Sequence, residues 1–198
     1  MYAATANGQR LTFEAEAVWR LNMIMRDLET GTLWQHATGE GLIGPLEGVQ
    51  LEILGGERAT WAAWCAEHPE TQTVAGPEKW PGLLPLPLTN HVLERATASG
   101  KVPGLTLTDR RLPQNEEIVG LTLNGEARAY PLALLRERGV IDDELGGVPV
   151  TLVYDATANR VRAFQQPDPT APPQPVPMQR LWWSGWYEFH PGTTVYHP

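Results

Sequence analysis

Cysteine is all but missing from this chain: Cys65 stands alone, so there is no internal disulfide, no C-x-x-C pair and no cysteine-rich zinc site. Positive charge is scarce as well. Fifteen Lys and Arg stand against 23 Asp and Glu, a formal charge of −8, and the basic residues form only a local spot at Lys101 and Arg110-Arg111. A nucleic-acid partner is excluded on that ground, since phosphate binding needs clustered cations. No apolar run approaches the roughly 20 residues of a membrane-spanning helix. Met1-Tyr2-Ala3-Ala4-Thr5 has neither the basic region nor the apolar stretch of a signal peptide. The expectation is a cytoplasmic protein as written, with export open to a longer parent. Also absent are G-x-S-x-G, a phosphate loop, H-E-x-x-H and a dinucleotide fingerprint.

What is present is a recurring spacing. Trp61, Trp64, His68, Pro69 and Thr71 return as Trp183, Trp186, His190, Pro191 and Thr193, each 122 positions later. Tyr2-Ala3-Ala4-Thr5-Ala6-Asn7 is echoed by Tyr154-Asp155-Ala156-Thr157-Ala158-Asn159 at an offset of 152. An internal repeat of this kind predicts two related modules, the second about thirty residues shorter between its landmarks. The boundaries read as 1–75 for a first module, 76–104 for a Pro-rich connector and 105–198 for a second module.

The local patterns predict an α+β chain, β-rich, with short antiparallel strands and hairpins and a few short helices. Residues 10–26 favour strands, 27–31 a turn and 32–34 a returning strand, with a further strand over 49–54. Thr60 suits the cap of a helix over 61–67, which Pro69 ends at His68. A second short helix is expected near 91–98. Residues 118–123 and 126–130 flank Asn124-Gly125, a type I′ hairpin signal. Pro131 and Gly139 bracket a helix, and 148–154 and 161–164 form another hairpin around a turn. Residues 167–177 hold six prolines in eleven positions and predict an extended surface linker.

Several of these stretches resemble the bacterial family known as domain of unknown function 3179. Gly125-Glu126-Ala127-Arg128-Ala129-Tyr130-Pro131-Leu132 is similar to its G-E-A-R-A-Y-P-L signature, and Asp143, Gly146-Gly147 and Pro149-Val150 to its D-x-x-G-G-x-P-V segment. Met25, Asp27, Thr30-Gly31 and Trp34 resemble M-x-D-x-x-T-G-x-x-W. The match continues through Thr38-Gly39-Glu40, Gly44-Pro45-Leu46 and 60–71. In that family the first block precedes the third, whereas here it follows. The resemblance therefore implies a tandem whose first copy is truncated at its front. Longer members carry a Y-C-x-L-C-like segment, sometimes with selenocysteine, before the position matching Met1. The equivalent turn in the second copy, 155–159, has no cysteine.

Trp34, His36, Thr38 and Glu40 alternate along one segment and, if extended, would share one side as a small-ligand surface. The alternative is a loop closing a core. Glu126 and Arg128 share a strand face and would meet a ligand or each other. His68 and His190 lack the further donors a metal needs; the plainer expectation has the tryptophans packing a core. Each histidine then bonds the last helix carbonyls, its charge favoured by the helix dipole. Trp61 is accordingly expected to be buried, Cys65 to be a buried inert thiol, and the second block to be less regular because of Gly185. Asp142-Asp143-Glu144 reads as a solvated turn. No catalytic residue, metal site or cofactor is predicted. The leading functional expectation is a non-catalytic module that binds a protein partner or self-associates. The alternatives are a fragment of a thiol or selenol oxidoreductase whose reactive segment lies upstream of Met1, and a small-ligand-binding domain.

Overall fold

The computed structural model describes residues 2–19, 22–54, 56–73, 98, 100, 108–168 and 170–198. Among them are fourteen short strands and three seven-residue helices, an α+β architecture in which antiparallel pairing dominates. Most of the connector, and nearly all of the helix expected near 91–98, lie outside the described residues.

The C-terminal part is built on a hairpin. Strands β7 (Glu117–Leu123) and β8 (Glu126–Pro131) pair antiparallel around Asn124-Gly125. Asn124 and Gly125 hold φ of 50° and 82°, the left-handed pair that a type I′ turn requires. Side chains alternate across the two strands. Val119, Leu121 and Tyr130 point into one core, shared with Leu132 and Leu135 of helix α2 (Leu132–Arg138). Ile118 and Ala129 point into a second core on the opposite face. Strand β9 (Val140–Leu145) then pairs with β10 (Val148–Asp155), which pairs with β11 (Arg160–Gln165). One edge of that sheet is β12 (Gln174–Pro175) and the other is β9. The proline-rich run thus contributes a two-residue edge strand, a sheet position that prolines tolerate, and anchors it with buried Val176. Strand β13 (Met178–Trp182) adds to β7, helix α3 (Trp183–Phe189) follows, and β14 (Thr194–Val195) lies parallel to β8.

The N-terminal part holds a small hairpin, β1 (Thr5–Ala6) with β2 (Gln9–Arg10), and a four-stranded sheet. That sheet runs β3 (Phe13–Trp19), β4 (Asn22–Asp27), β5 (Leu33–Gln35), β6 (Gly41–Ile43). Its core gathers Ala6, Leu11, Trp34 and Leu51. Helix α1 (Trp61–Glu67) comes last.

Three local expectations are corrected. Residues 49–54 form no strand; they contribute only isolated bridges, Gln50 to Glu40 and Ile53 to Tyr2. Residues 142–144 lie inside β9 rather than in a turn, because Gly146-Gly147 makes the turn and leaves the acidic residues on the strand before it. Asp143 there is mostly buried, accepting from Arg128 at 2.6 Å and from the Tyr130 hydroxyl at 2.8 Å. Finally, α3 is as long as α1 despite Gly185, since its tertiary packing outweighs the propensity of one residue.

Candidate functional site

The two tryptophan–histidine blocks fold alike at the level of single bonds. Their starts differ, since in α1 the Thr60 hydroxyl caps the first turn, accepting from the Ala63 amide at 3.3 Å, whereas α3 follows Trp182 with no side-chain cap. The helix stops at His68 with φ −131° and ψ 69°, and α3 stops at His190 with −130° and 62°. The proline after each histidine disfavours helical geometry there. Trp64 Nε1 donates to Thr71 Oγ1 and Trp186 Nε1 to Thr193 Oγ1, both at 2.8 Å. Each histidine ring lies over the second indole, 4.2 Å between centroids in the first block and 3.9 Å in the second. The histidines meet the helix carbonyls through their backbone N–H groups, to Trp64 and Trp186, not through the imidazoles. Burial also lowers the His190 pKa below its ordinary 6.5, so that ring is held neutral rather than charged by the helix end.

What surrounds the blocks differs. Trp183 and Trp186 are 0% and 1% exposed, whereas Trp61 is 59% exposed and α1 buries no residue, although six of its seven side chains are apolar. The expected burial of Trp61 is therefore overturned, and Cys65 is half-buried rather than enclosed. The cause lies outside the block. Trp183 and Trp186 pack on the Ile118/Ala129 face of β7–β8, where a Cβ placed on Gly120 would sit 2.4 Å from the Trp186 ring. No described strand stands in that position over α1, and residues 56–60 before it, unlike β13 before α3, pair with no strand.

Polar contacts hold α1 in place. The Thr60 amide donates to the Ala158 carbonyl at 2.8 Å. Arg160, its side chain 4% exposed, makes two 2.7 Å bonds to the Glu67 carboxylate and also reaches Glu57 and Asp155. Arg162 binds Glu57 at 2.7 Å. These bonds hold Glu67 (through Arg160) and Glu57 (through Arg162) below the usual carboxylate range, and keep Arg160 firmly charged. Between α1 and β11–β12 lies a cleft of about 680 Å³, with Trp64 and His68 on one wall and Phe164, Val176 and Met178 on the other.

A second cavity, about 550 Å³, lies between the N-terminal sheet and β13; Trp34, Gln35, His36, Tyr2, Gln179 and Leu181 are among its walls. Burial pushes the Tyr2 phenol up to about 12, and its hydroxyl donates to the Ala37 carbonyl at 2.6 Å, as does Gln179 Nε2 at 3.2 Å. Of the residues picked out in the sequence, Trp34 and His36 border this cavity, while Thr38 and Glu40 do not. The four do not share one side, because β5 ends at Gln35 and a turn follows. Trp34 is buried, its Nε1 donating to Asp27 at 2.7 Å. Burial raises the Asp27 pKa, yet bonds from Trp34, Thr30 and Gly31 outweigh it and hold the carboxylate ionised. Glu126 and Arg128 sit elsewhere and are spoken for: Glu126 accepts from the Gly146 amide, and Arg128 binds Asp143 and Thr194. Among the described residues, no three His, Cys, Asp or Glu side chains converge as metal ligands.

Sequence reasoning passed over Arg58 and Arg180, which share the 122-residue offset and extend the repeated block by three positions. It also passed over Arg160 and Glu67, for which no sequence signal exists, since they are 93 residues apart.

The fold defines a β-rich α+β protein. A family model described as a protein of unknown function, DUF3179, matches residues 1–170, and the chain belongs to that family. No curated protein and no solved structure matches it. No helix among the described residues is long and apolar enough to cross a membrane.

Proposed function

We propose that this protein is a non-catalytic binding module whose working surface is the open face of α1, and that the ligand is another protein. The observation that carries this reading is the pair of helices: equal blocks, one sealed and the other bare at Trp61. An aromatic-rich apolar helix left uncovered marks an interaction site more often than ordinary surface, and tryptophan is the residue most enriched at binding hot spots. Placing a benzophenone amino acid at position 61 and irradiating cells that express the full chain tests it. A discrete protein adduct, lost on Trp64→Asp and absent when the same group replaces the exposed Val140, is expected. Equal labelling from both positions would sink the reading.

A second reading, a small-ligand-binding domain, is favoured by the 550 Å³ cavity, which has an apolar lining and polar groups at His36 and Gln179. The oxidoreductase reading has less support. Thiol–disulfide exchange normally needs an attacking and a resolving thiol, and Cys65 is the only thiol in the chain.

A further inference from the structure

The bare helix has a sealed twin in the same chain, and the twin shows what kind of surface fits. Three features of the cover over α3 are physical requirements rather than incidental contacts. Backbone comes first: β7 pairs with β13, the extended stretch that leads into α3. The equivalent stretch before α1, residues 56–60, ends in the same extended geometry, φ −66° and ψ 146° at Thr60 against −75° and 147° at Trp182, yet has no strand beside it among the described residues. Space comes second. The face of the hairpin that meets the indoles carries Ile118, Gly120, Ala127 and Ala129, and Gly120 and Ala129 are cross-strand partners. Only small side chains at that point let a strand lie against the Trp186 ring, since even a methyl group on Gly120 would overlap it.

Charge comes third. Glu117, at the start of β7, accepts from Arg180 Nε at 3.1 Å. Arg58 occupies the position in the first block that Arg180 occupies in the second. It is two-thirds exposed at the side chain and leans on the same Glu117 at 3.2 Å, which Arg136 also approaches at 3.6 Å. Glu117 is thus shared among three guanidinium groups, and Arg58 has no described carboxylate to itself. A partner that brings its own carboxylate to Arg58 is favoured over one that does not.

Building on the reading of α1 as a protein-binding face, we infer that the occupant is a β-hairpin of a separate polypeptide. Its first strand adds to residues 56–60, it begins with an acidic residue that faces Arg58, and it presents glycine and alanine to Trp61 and Trp64. Strand addition of this type takes its affinity from main-chain hydrogen bonds and its specificity from alternate side chains. A second copy of this chain is a poorer occupant, because the one hairpin of this pattern among its described residues is already closed over its own α3.

The probe is a backbone-cyclised peptide carrying residues 117–131 of this chain, since a linear hairpin of that length is marginal in water. It is titrated against the full-length protein and followed by tryptophan fluorescence, with sedimentation velocity on the protein alone. Saturable binding is expected, weakened on the order of thirtyfold or more by Trp61→Asp in the protein, the scale of losing a hot-spot tryptophan. The peptide with glycine replaced by phenylalanine should lose comparable affinity, and the peptide with its leading glutamate replaced by lysine should bind more weakly. Because Trp61 is exposed, Trp61→Asp leaves the fold intact, which circular dichroism verifies. Absence of saturable binding, or binding indifferent to Trp61→Asp or to the glycine replacement, overturns the hairpin. Self-association abolished by Trp61→Asp also overturns it, in favour of a second copy. A cross-linked partner at position 61 together with a silent peptide removes the hairpin alone and leaves the binding role standing.

Discussion

Trp61 and Trp183 occupy the same position in two matching blocks and have opposite energetic roles. Trp183 is fully buried, so Trp183→Ala removes a large aromatic side chain and leaves a cavity; denaturant melts should show a loss of roughly 3–5 kcal/mol. Trp61→Ala should change stability by no more than about 0.5 kcal/mol, the range of a surface change. Equal losses at the two sites would mean that α1 is covered in solution. His190 supplies a pH signal at the same scale. Its folded pKa lies below the unfolded 6.5, so the unfolded chain binds more protons between the two values. Its contribution to stability is therefore present above about 6.5 and is lost as pH falls through the lowered folded value. In urea midpoints measured from pH 7.5 to 5, His190→Gln should flatten the downward slope. Glu57 and Glu67, whose ordinary pKa values of 4.5 are lowered further by folding, titrate below that window.

At the scale of elements, the β7–β8 hairpin separates two cores, and the alternation along it decides which side chain meets which core. Gly120 is the position where this matters most. A side chain there strikes the Trp186 ring, itself 1% exposed and held by Thr193, so neither partner has room to give. Gly120→Val should destabilise by about 1–3 kcal/mol or more through overpacking, and the near-ultraviolet circular dichroism of the buried tryptophans should change with it. An unaltered melting temperature would show that α3 can shift away from the sheet, and would weaken the argument for a glycine in any partner of α1. The hairpin turn, both helix ends and the α1 cap were legible beforehand because each depends on residues within a few positions: Asn124-Gly125, Thr60, Pro69 and Gly139. The strand β9 was misread because its acidic residues look like a turn unless Arg128 and Tyr130 are known to lie beside Asp143.

Across the whole molecule, Arg160 ties α1 to the C-terminal sheet, with Glu57 and Glu67 on one side of the connector and Asp155 on the other. Glu67→Gln should lower stability at neutral pH, since it removes the charged partner of two 2.7 Å bonds from the buried Arg160, and urea midpoints of the two proteins check it. The sign of its pH dependence follows from the lowered carboxylate pKa. The stabilisation is complete above the ordinary 4.5 and is lost as pH falls through the folded value, so the substitution should make the acid limb of the stability curve shallower. An acid limb of unchanged slope would remove Glu67 from that role.

By itself, the sequence determined the β-rich class, the family, and the matching local geometry of the two tryptophan–histidine blocks. All of these rest on short-range chemistry: caps, turn residues and side-chain alternation. The tertiary structure alone decided that one block is sealed and the other open, that Trp34 and His36 border a cavity from which Thr38 and Glu40 turn away, and that Arg128 is engaged by Asp143. The physical reason is that burial belongs to pairs of surfaces. Ile118 lies 65 positions before Trp183, and nothing in α3 or in α1 records whether a strand lies against it.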